Sequence, residues 1–276
     1  MFIVFRHNEI VKGYFKKKKQ LKSIRKSEVQ SVKTDNGLPF YMVDIPVDGG
    51  NVLWDGIEEK CGKYASRIIA SRGIAIPDSS RIKRYISTVF PCEIIFNTAI
   101  ESLKSANCKP DSFVLTLTDR NGFLSQRVCE LLPFCSTVRV ITCAPEKYAR
   151  PVTKALNEYG ATLIMRQSHS TVPKREIVIC CDGAITPSMS ESAVFSHKKY
   201  GGAKLMICGS NIELNEKHRS IIPDYISPID FAGALTELCG CNSYSGSVFA
   251  DTEINGMLCK PEHISECISS FCFSKE

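Results

Sequence analysis

Phe113-Val114-Leu115-Thr116-Leu117, Val138-Arg139-Val140-Ile141, Ala161-Thr162-Leu163-Ile164-Met165, Ile177-Val178-Ile179-Cys180-Cys181 and Lys204-Leu205-Met206-Ile207-Cys208 are short apolar runs with the length and composition of buried strands. Between the first two, Leu124, Val128, Leu131 and Leu132 repeat at helical spacing, and Pro133 closes the segment. Between the second and third, Tyr148, Val152, Ala155, Leu156 and Tyr159 share a helical face, with Gly160 placed as the C-terminal cap. A further helix is expected near Ser188 to Lys199, and Tyr200-Gly201-Gly202 leads into the last run. Strands that alternate with helices pair in parallel through right-handed crossovers. The spacing therefore predicts an α/β fold, with a parallel sheet of about five strands from Ser112 to Ser210 flanked by helices. Sheets of this kind bind ligands at the carboxyl ends of their strands.

Outward from this core, residues 1–110 read as an N-terminal α/β region, and 111–276 as the sheet domain with a C-terminal helical extension. Phe2 to Phe5 and Phe40 to Ile45 look like strands, the second ending at Pro46 before an Asp48-Gly49-Gly50 turn. Leu53, Ile57, Cys61, Tyr64, Ile68 and Ile69 fall on one helical face, with Asn51 as a cap and Gly73 as a stop. Ile82 to Val89 fits a strand; Ile95, Ala99, Ile100 and Leu103 fit a helix; Lys109-Pro110-Asp111 fits a linker. Pro228 can start a helix through Phe231, Leu235 and Leu238 that Gly240 stops, and Ile264, Cys267, Ile268 and Phe271 predict a short final helix.

Composition removes several classes. The hydrophobic content of 43% and charged content of 23% are those of a globular protein. No apolar run approaches the roughly 18 to 20 residues of a membrane span. Met1 to Arg6 lacks the basic, apolar and small-residue order of a signal peptide, so a cytoplasmic protein is expected. Several of the 14 cysteines sit inside expected strands or helices, which suits reduced, buried thiols. No Cys-x-x-Cys pair exists and no two histidines share a helix face at ligand spacing, so no metal site is expected. The net charge of +6 is local: Lys12 to Lys33 carries nine basic residues against Glu28, leaving −2 elsewhere. Within it, Tyr14-Phe15-Lys16-Lys17-Lys18-Lys19 sets aromatics beside lysines. Such a run can touch phosphates of a nucleic acid or an anionic membrane surface, or be a solvated face. The solvated face is the expectation, because the charge stops at Lys33 and no nucleic-acid-binding motif follows.

The first turn of the sheet reads Thr118-Asp119-Arg120-Asn121-Gly122-Phe123-Leu124. In element order the stretch 112–183 resembles a Rossmann-like NAD(P)-binding half, similar in outline to the cofactor domain of shikimate dehydrogenase and related NAD(P) enzymes. That resemblance implies a nucleotide or dinucleotide at the carboxyl rim. The turn has one glycine, Gly122, where three are expected, and Asp119 sets a negative charge beside the place of the phosphate, which Arg120 offsets. The second strand ends at Thr142 with no acid to hold ribose hydroxyls, while Lys147 and Arg150 follow; a hydroxyl and two cations suit the 2′-phosphate of NADP better than NAD. Asp182-Gly183 and Gly209, with Asn211, follow later strands and complete the candidate rim. Asp119 and Asp182 also fit the favoured use of Asp as caps of the turns that come next.

No catalytic signature stands out: no G-x-S-x-G elbow is present, and the five histidines are scattered. Two functions from different classes remain open. One is nucleotide or small-molecule binding at the rim, with NADP as the cofactor. The other is a non-catalytic module that keeps a degenerate Rossmann-like scaffold and binds a protein partner.

Overall fold

The computed structural model describes residues 1–10, 13–106, 108–110, 112–170, 175–181, 189–197, 202–241, 246–260 and 262–273, with the side chains of 25 and 210 left aside. The chain forms two compact units, Met1–Phe90 with Leu214–Ser245, and Pro91–Glu213 with Gly246–Glu276. Both units are discontinuous in sequence. Among the described residues, no helix is long and apolar enough to cross a membrane.

The first unit is built on β1 (Ile3–Glu9), β2 (Gln30–Lys33), β3 (Pro39–Asp48), β4 (Asn51–Val52) and β5 (Ile68–Ile69). β1 lies between β3 and β5 and runs parallel to both, while β2 and β4 pair antiparallel with β3. Alternation along β1 and β3 sends Ile3, Phe5, Val43, Ile45 and Val47 to one face, where Ile57, Cys61, Ala65, Ile74 and Ile82 cover them. Phe2 stacks on Phe40 at 5.3 Å, and both meet the ring of Phe231 edge-on. Phe231 belongs to the helix Pro228–Cys239, which has Ser227 as its N-cap, Pro228 in its first turn and Gly240 in the left-handed conformation after it.

The helical spacing of Leu53 to Ile69 does not produce one helix. Gly56 (φ 75°) and Gly62 (φ 50°) hold left-handed backbone, so only Ile57–Cys61 winds as α-helix, followed by a 3-10 turn at Gly62–Tyr64. Ile68 and Ile69 instead pair with Ile3 and Val4 as β5. Ile82 to Val89 contributes one isolated bridge, from Arg84 to Ile68, instead of a strand. Glu237 accepts hydrogen bonds from the Tyr85 and Ser87 hydroxyls and from the amides of Val89 (3.1 Å) and Phe90 (2.9 Å). A carboxylate thus satisfies amides at a helix start, where backbone donors lack partners. Burial and this carboxylate push the Tyr85 hydroxyl well up, so it stays a donor.

The second unit holds β6 (Val114–Thr118), β7 (Thr137–Ile141), β8 (Thr162–Arg166), β9 (Glu176–Cys180), β10 (Ala193–Ser196), β11 (Leu205–Asn211), β12 (Asp251–Ile254) and β13 (Met257–Cys259). Across the sheet the order is β8-β7-β6-β9-β10-β11-β12-β13. The first six in this order are parallel, and β12 and β13 add antiparallel at the end. β6 and β7 are adjacent and parallel, with Leu115 opposite Val138. In chain order the six parallel strands lie 3-2-1-4-5-6, so the connections reverse direction between β6 and β9. The helices Val89–Ser105, Ala149–Tyr159 and Glu262–Phe273 accompany the sheet. The helix Val89–Ser105 contributes to this unit from Pro91 onward: the guanidinium of Arg127 lies over the Phe96 ring at 4.8 Å, and Thr98 accepts from the Phe249 amide at 3.0 Å. Both contacts lie within the second unit.

Two expected helices are absent from the described residues of this unit. The stretch from Leu124 to Leu132 winds through successive i to i+3 bonds, with a 3-10 turn at Val128–Leu131, and still buries all four of its spaced apolar residues. Within 189–197, the region near Ser188 to Lys199 forms β10, fully buried; Ser188, Lys198 and Lys199 lie outside the described residues. On the helix Ala149–Tyr159 the buried residues are Pro151 and Ala155, while Leu156 and Tyr159 are exposed. All 14 cysteines are free, and ten are buried. Burial pushes the Cys61 thiol up to about 12 and raises Cys181 and Cys272 as well, so these groups pack as inert small hydrophobes.

His218 is buried against Phe231, and neither ring nitrogen has a partner among the described residues. Burial lowers its pKa from the ordinary 6.5, and burial also lowers that of His7. The unfolded chain therefore binds protons that the folded one refuses. The stability from the neutral imidazole is complete above the unfolded value of 6.5 and is lost as pH falls through the folded value. Thermal melting between about pH 7.5 and 5 should show a falling Tm, and His218→Leu should flatten the fall. An equal slope in the variant would exclude His218 as its source.

Candidate functional site

In open parallel sheets a crevice forms outside the carboxyl ends of the strands where the connections reverse, here those of β6 and β9. Asp119 stands there, one residue beyond β6, and its side chain is buried. One carboxylate oxygen accepts from the Phe123 amide at 2.9 Å. The other accepts from the Leu124 amide at 2.8 Å and the Tyr148 hydroxyl at 2.6 Å. The Asp119 backbone donates to Ile141 and accepts from Gly122, which closes the turn. Burial first, and then Asp119, push the Tyr148 hydroxyl far up, so Tyr148 remains a neutral donor.

The residues around this turn interlock. Thr118 is buried, and its carbonyl accepts from the Cys181 amide at 3.1 Å. Arg120 is exposed at its side chain, but its carbonyl accepts from the Cys143 amide and from the Thr142 hydroxyl. The Thr142 hydroxyl also accepts from the Ala144 amide at 3.0 Å, which fixes the turn after β7. Gly122 has φ 66°, and a Cβ there would lie 2.7 Å from the Lys147 side chain. Lys147 thus covers the glycine and donates to the Asn121 carbonyl at 2.7 Å.

The other candidates stand apart. Arg150 is exposed on the helix Ala149–Tyr159 and lines a surface depression with Thr153, Lys154, Asn157 and Glu158. At Gly209, in β11, a Cβ would fall 1.9 Å from the Phe249 ring, so Phe249 fills the space that a ligand would need. Asn211 bonds to Asp251 at 3.1 Å. Asp182 and Gly183 lie outside the described residues.

A polar cluster with no motif in the sequence lies inside the sheet. Glu176, the first residue of β9, accepts from the Thr116 hydroxyl with one oxygen. Its other oxygen meets His169 Nε2 at 2.8 Å and the Ser192 hydroxyl at 2.9 Å. The Glu176 and His169 side chains are 3% and 1% exposed. Ser192 donates to the carboxylate and not to the imidazole, so the arrangement does not activate the serine as a nucleophile. It binds the connection before β9 to three strands or their ends, and each polar group supplies the other's partner.

In the first unit, Ile24, Asp44, Pro46, Asp55, Gly56, Ile57, Glu59 and Lys60 line a cavity of about 430 Å³. Two of its charged groups are already engaged. Arg6 holds Asp44 with two bonds, at 2.5 and 3.0 Å. The Lys60 ammonium donates to the carbonyls of Ile24 (2.5 Å) and Ser27 (3.1 Å), and burial lowers its pKa. Among the described residues, no group of three or more His, Cys, Asp or Glu side chains is placed to hold a metal ion.

Set against known proteins, the chain matches no family model, and no curated protein or solved structure matches it.

If Asp119 serves the turn, its loss must appear in stability. Asp119→Ala should cost about 3–5 kcal/mol, because two amides and a hydroxyl lose their acceptor, and Tyr148→Phe about 1.5–3 kcal/mol. Urea unfolding measures both. An unchanged midpoint in Asp119→Ala would free the carboxylate for a ligand.

Proposed function

We propose that the second unit is a degenerate Rossmann-like scaffold that serves as a non-catalytic interaction module for a protein partner. The observation that carries this reading is the Asp119 carboxylate. In a dinucleotide fold the amides of the first turn, at the start of a helix, receive the pyrophosphate. Here the amides of Phe123 and Leu124 are bonded to Asp119, and the turn leads into 3-10 winding instead of an α-helix. A phosphate would have to displace a buried carboxylate and meet its charge. The free edge supports the same reading. The sheet ends at β13, a short strand whose Met257 and Leu258 are exposed, and edge strands accept extended segments of other chains. Buried, unbridged thiols fit a cytoplasmic setting.

A second reading is favoured by one observation, the 3-2-1-4-5-6 strand order, which is that of nucleotide-binding sheets. In this reading NADP sits at the carboxyl rim, with Arg120, Lys147 and Arg150 as the cations for its 2′-phosphate.

Thermal-shift measurements with NADP, NAD, ATP and S-adenosylmethionine at millimolar concentration separate the two. A ligand present at about 100 times its Kd stabilises the folded state by about 2.7 kcal/mol, a readily measured shift. No shift with any of the four is the expected result. A shift with NADP larger than with NAD, lost when Arg120 and Arg150 are both changed to Ala, would replace the interaction reading with the nucleotide one.

A further inference from the structure

The basic run folds as the helix Tyr14–Lys26, and its two sides differ. Lys17, Gln20, Leu21 and Ile24 recur at helical spacing and face the first unit. Lys17 pairs with Asp48, Gln20 donates to the Glu9 carbonyl at 2.7 Å, and Ile24 is buried. Lys60 bonds the carbonyls of Ile24 and Ser27 at the far end. The helix is therefore fixed in rotation.

Diametrically opposite this docked side lie Phe15, Lys19, Lys22 and Lys26, flanked by Lys16 and Lys18. All six are exposed, and none of the five lysines makes an ion pair among the described residues. Tyr14 and Phe15 are 75% and 85% exposed, and their rings meet edge-on at 5.6 Å. The free face is thus a convex stripe, about 17 Å long, with an aromatic tip at one end and unneutralised ammonium groups along the rest. The two rings together make a contiguous apolar tip in solvent.

Two kinds of polyanion match the charge, and the arrangement separates them. Single-stranded nucleic acid is held in a groove, with aromatic platforms spaced between cations so that successive bases stack. Here both aromatics sit at one end of a protruding helix. Binding a duplex through its phosphates would use the lysines alone and leave the exposed Tyr14 and Phe15 rings without a role. An aromatic tip beside lysines with aliphatic stems is what an anionic bilayer surface accommodates: the rings enter the headgroup layer and the ammonium groups meet the lipid charges. Outside Lys12 to Lys33 the chain carries a net −2, so the excess of positive charge is concentrated in this segment.

We propose that the helix Tyr14–Lys26 docks the chain on an anionic phospholipid bilayer, with Tyr14 and Phe15 in the headgroup layer and Lys16, Lys18, Lys19, Lys22 and Lys26 on the acidic lipids. The attachment is peripheral and reversible.

Cosedimentation of the full chain with vesicles tests it. Vesicles of phosphatidylcholine with about one third phosphatidylserine should bind the chain, and phosphatidylcholine alone should not. Each lysine contributes roughly a five-fold factor, so changing Lys18, Lys19, Lys22 and Lys26 together to Gln should weaken binding at least about a hundred-fold. Phe15→Ser should weaken it at unchanged charge, and about 0.5 M salt should release the protein. Because these side chains are exposed, the Tm of each variant should match that of the parent. Absence of binding to the acidic vesicles, equal binding to both compositions, or binding that the four-Gln variant keeps would each overturn the proposal. So would tighter binding to a single-stranded oligonucleotide than to the acidic vesicles, which would assign the stripe to nucleic acid.

Discussion

The second unit depends on a carboxylate buried at the end of its first strand. Asp119 is taken out of water and must be given donors at once, because an unpaired charge in a protein interior is far costlier than an unpaired amide. The chain supplies three, two from the turn that Asp119 itself begins and one from Tyr148. These bonds fix where Phe123 and Leu124 lie, and they position Tyr148 at the entrance to the helix Ala149–Tyr159. Lys147, next to Tyr148, is thereby set over Gly122. The ends of β6 and β7 become one joined block around the Asp119 carboxylate. A rim arranged this way supplies the partners of its own buried carboxylate.

Carboxylates that gather several donors recur in this role. Glu237 collects two hydroxyls and two amides in the first unit, and Glu176 collects two hydroxyls and an imidazole in the second. Each draws together segments distant in sequence: Glu237 bonds to Tyr85 across 152 positions and Glu176 to Thr116 across 60. Such bonds are directional, so they specify one arrangement of the segments where apolar packing alone would tolerate several. The hydrophobic faces supply the drive to collapse, and these carboxylates select the register in which collapse ends.

The parallel core is legible in the sequence because strands buried on both faces must be continuously apolar, and Phe113 to Leu117 or Ile177 to Cys181 have no other use. β10 is hidden because Ala193–Ser196 is four residues long in a stretch whose apolar spacing also fits a helix. Leu124, Val128, Leu131 and Leu132 report burial on one side, which successive 3-10 turns satisfy as well as an α-helix does. The spacing from Leu53 to Ile69 misleads for a different reason: backbone at Gly56 and Gly62 interrupts a pattern carried by side chains. The candidate rim was half legible. Asp after a strand is visible, yet whether it faces a ligand or its own turn is decided by Tyr148, 29 residues later, whose ring reads as apolar and whose hydroxyl does not. Phe249 over Gly209 and the cluster around Glu176 have no local signature, since their partners meet only through the topology.

The interleaving of the two units carries a consequence for how the chain is made. Phe2 and Phe40 leave the ribosome early, but Phe231, which covers them, is synthesised after the six parallel strands of the other unit. That other unit in turn waits for β12 and β13, near the end of the chain. The face of the first sheet that Ile57 to Ile82 cover can close early, but the face that meets Phe231, and the last two strands of the second sheet, wait until the middle of the chain has been elongated. Vectorial folding can therefore finish only part of the first unit before the second begins. Phe2 and Phe40, among the first residues made, stay uncovered until the chain has been extended to Phe231.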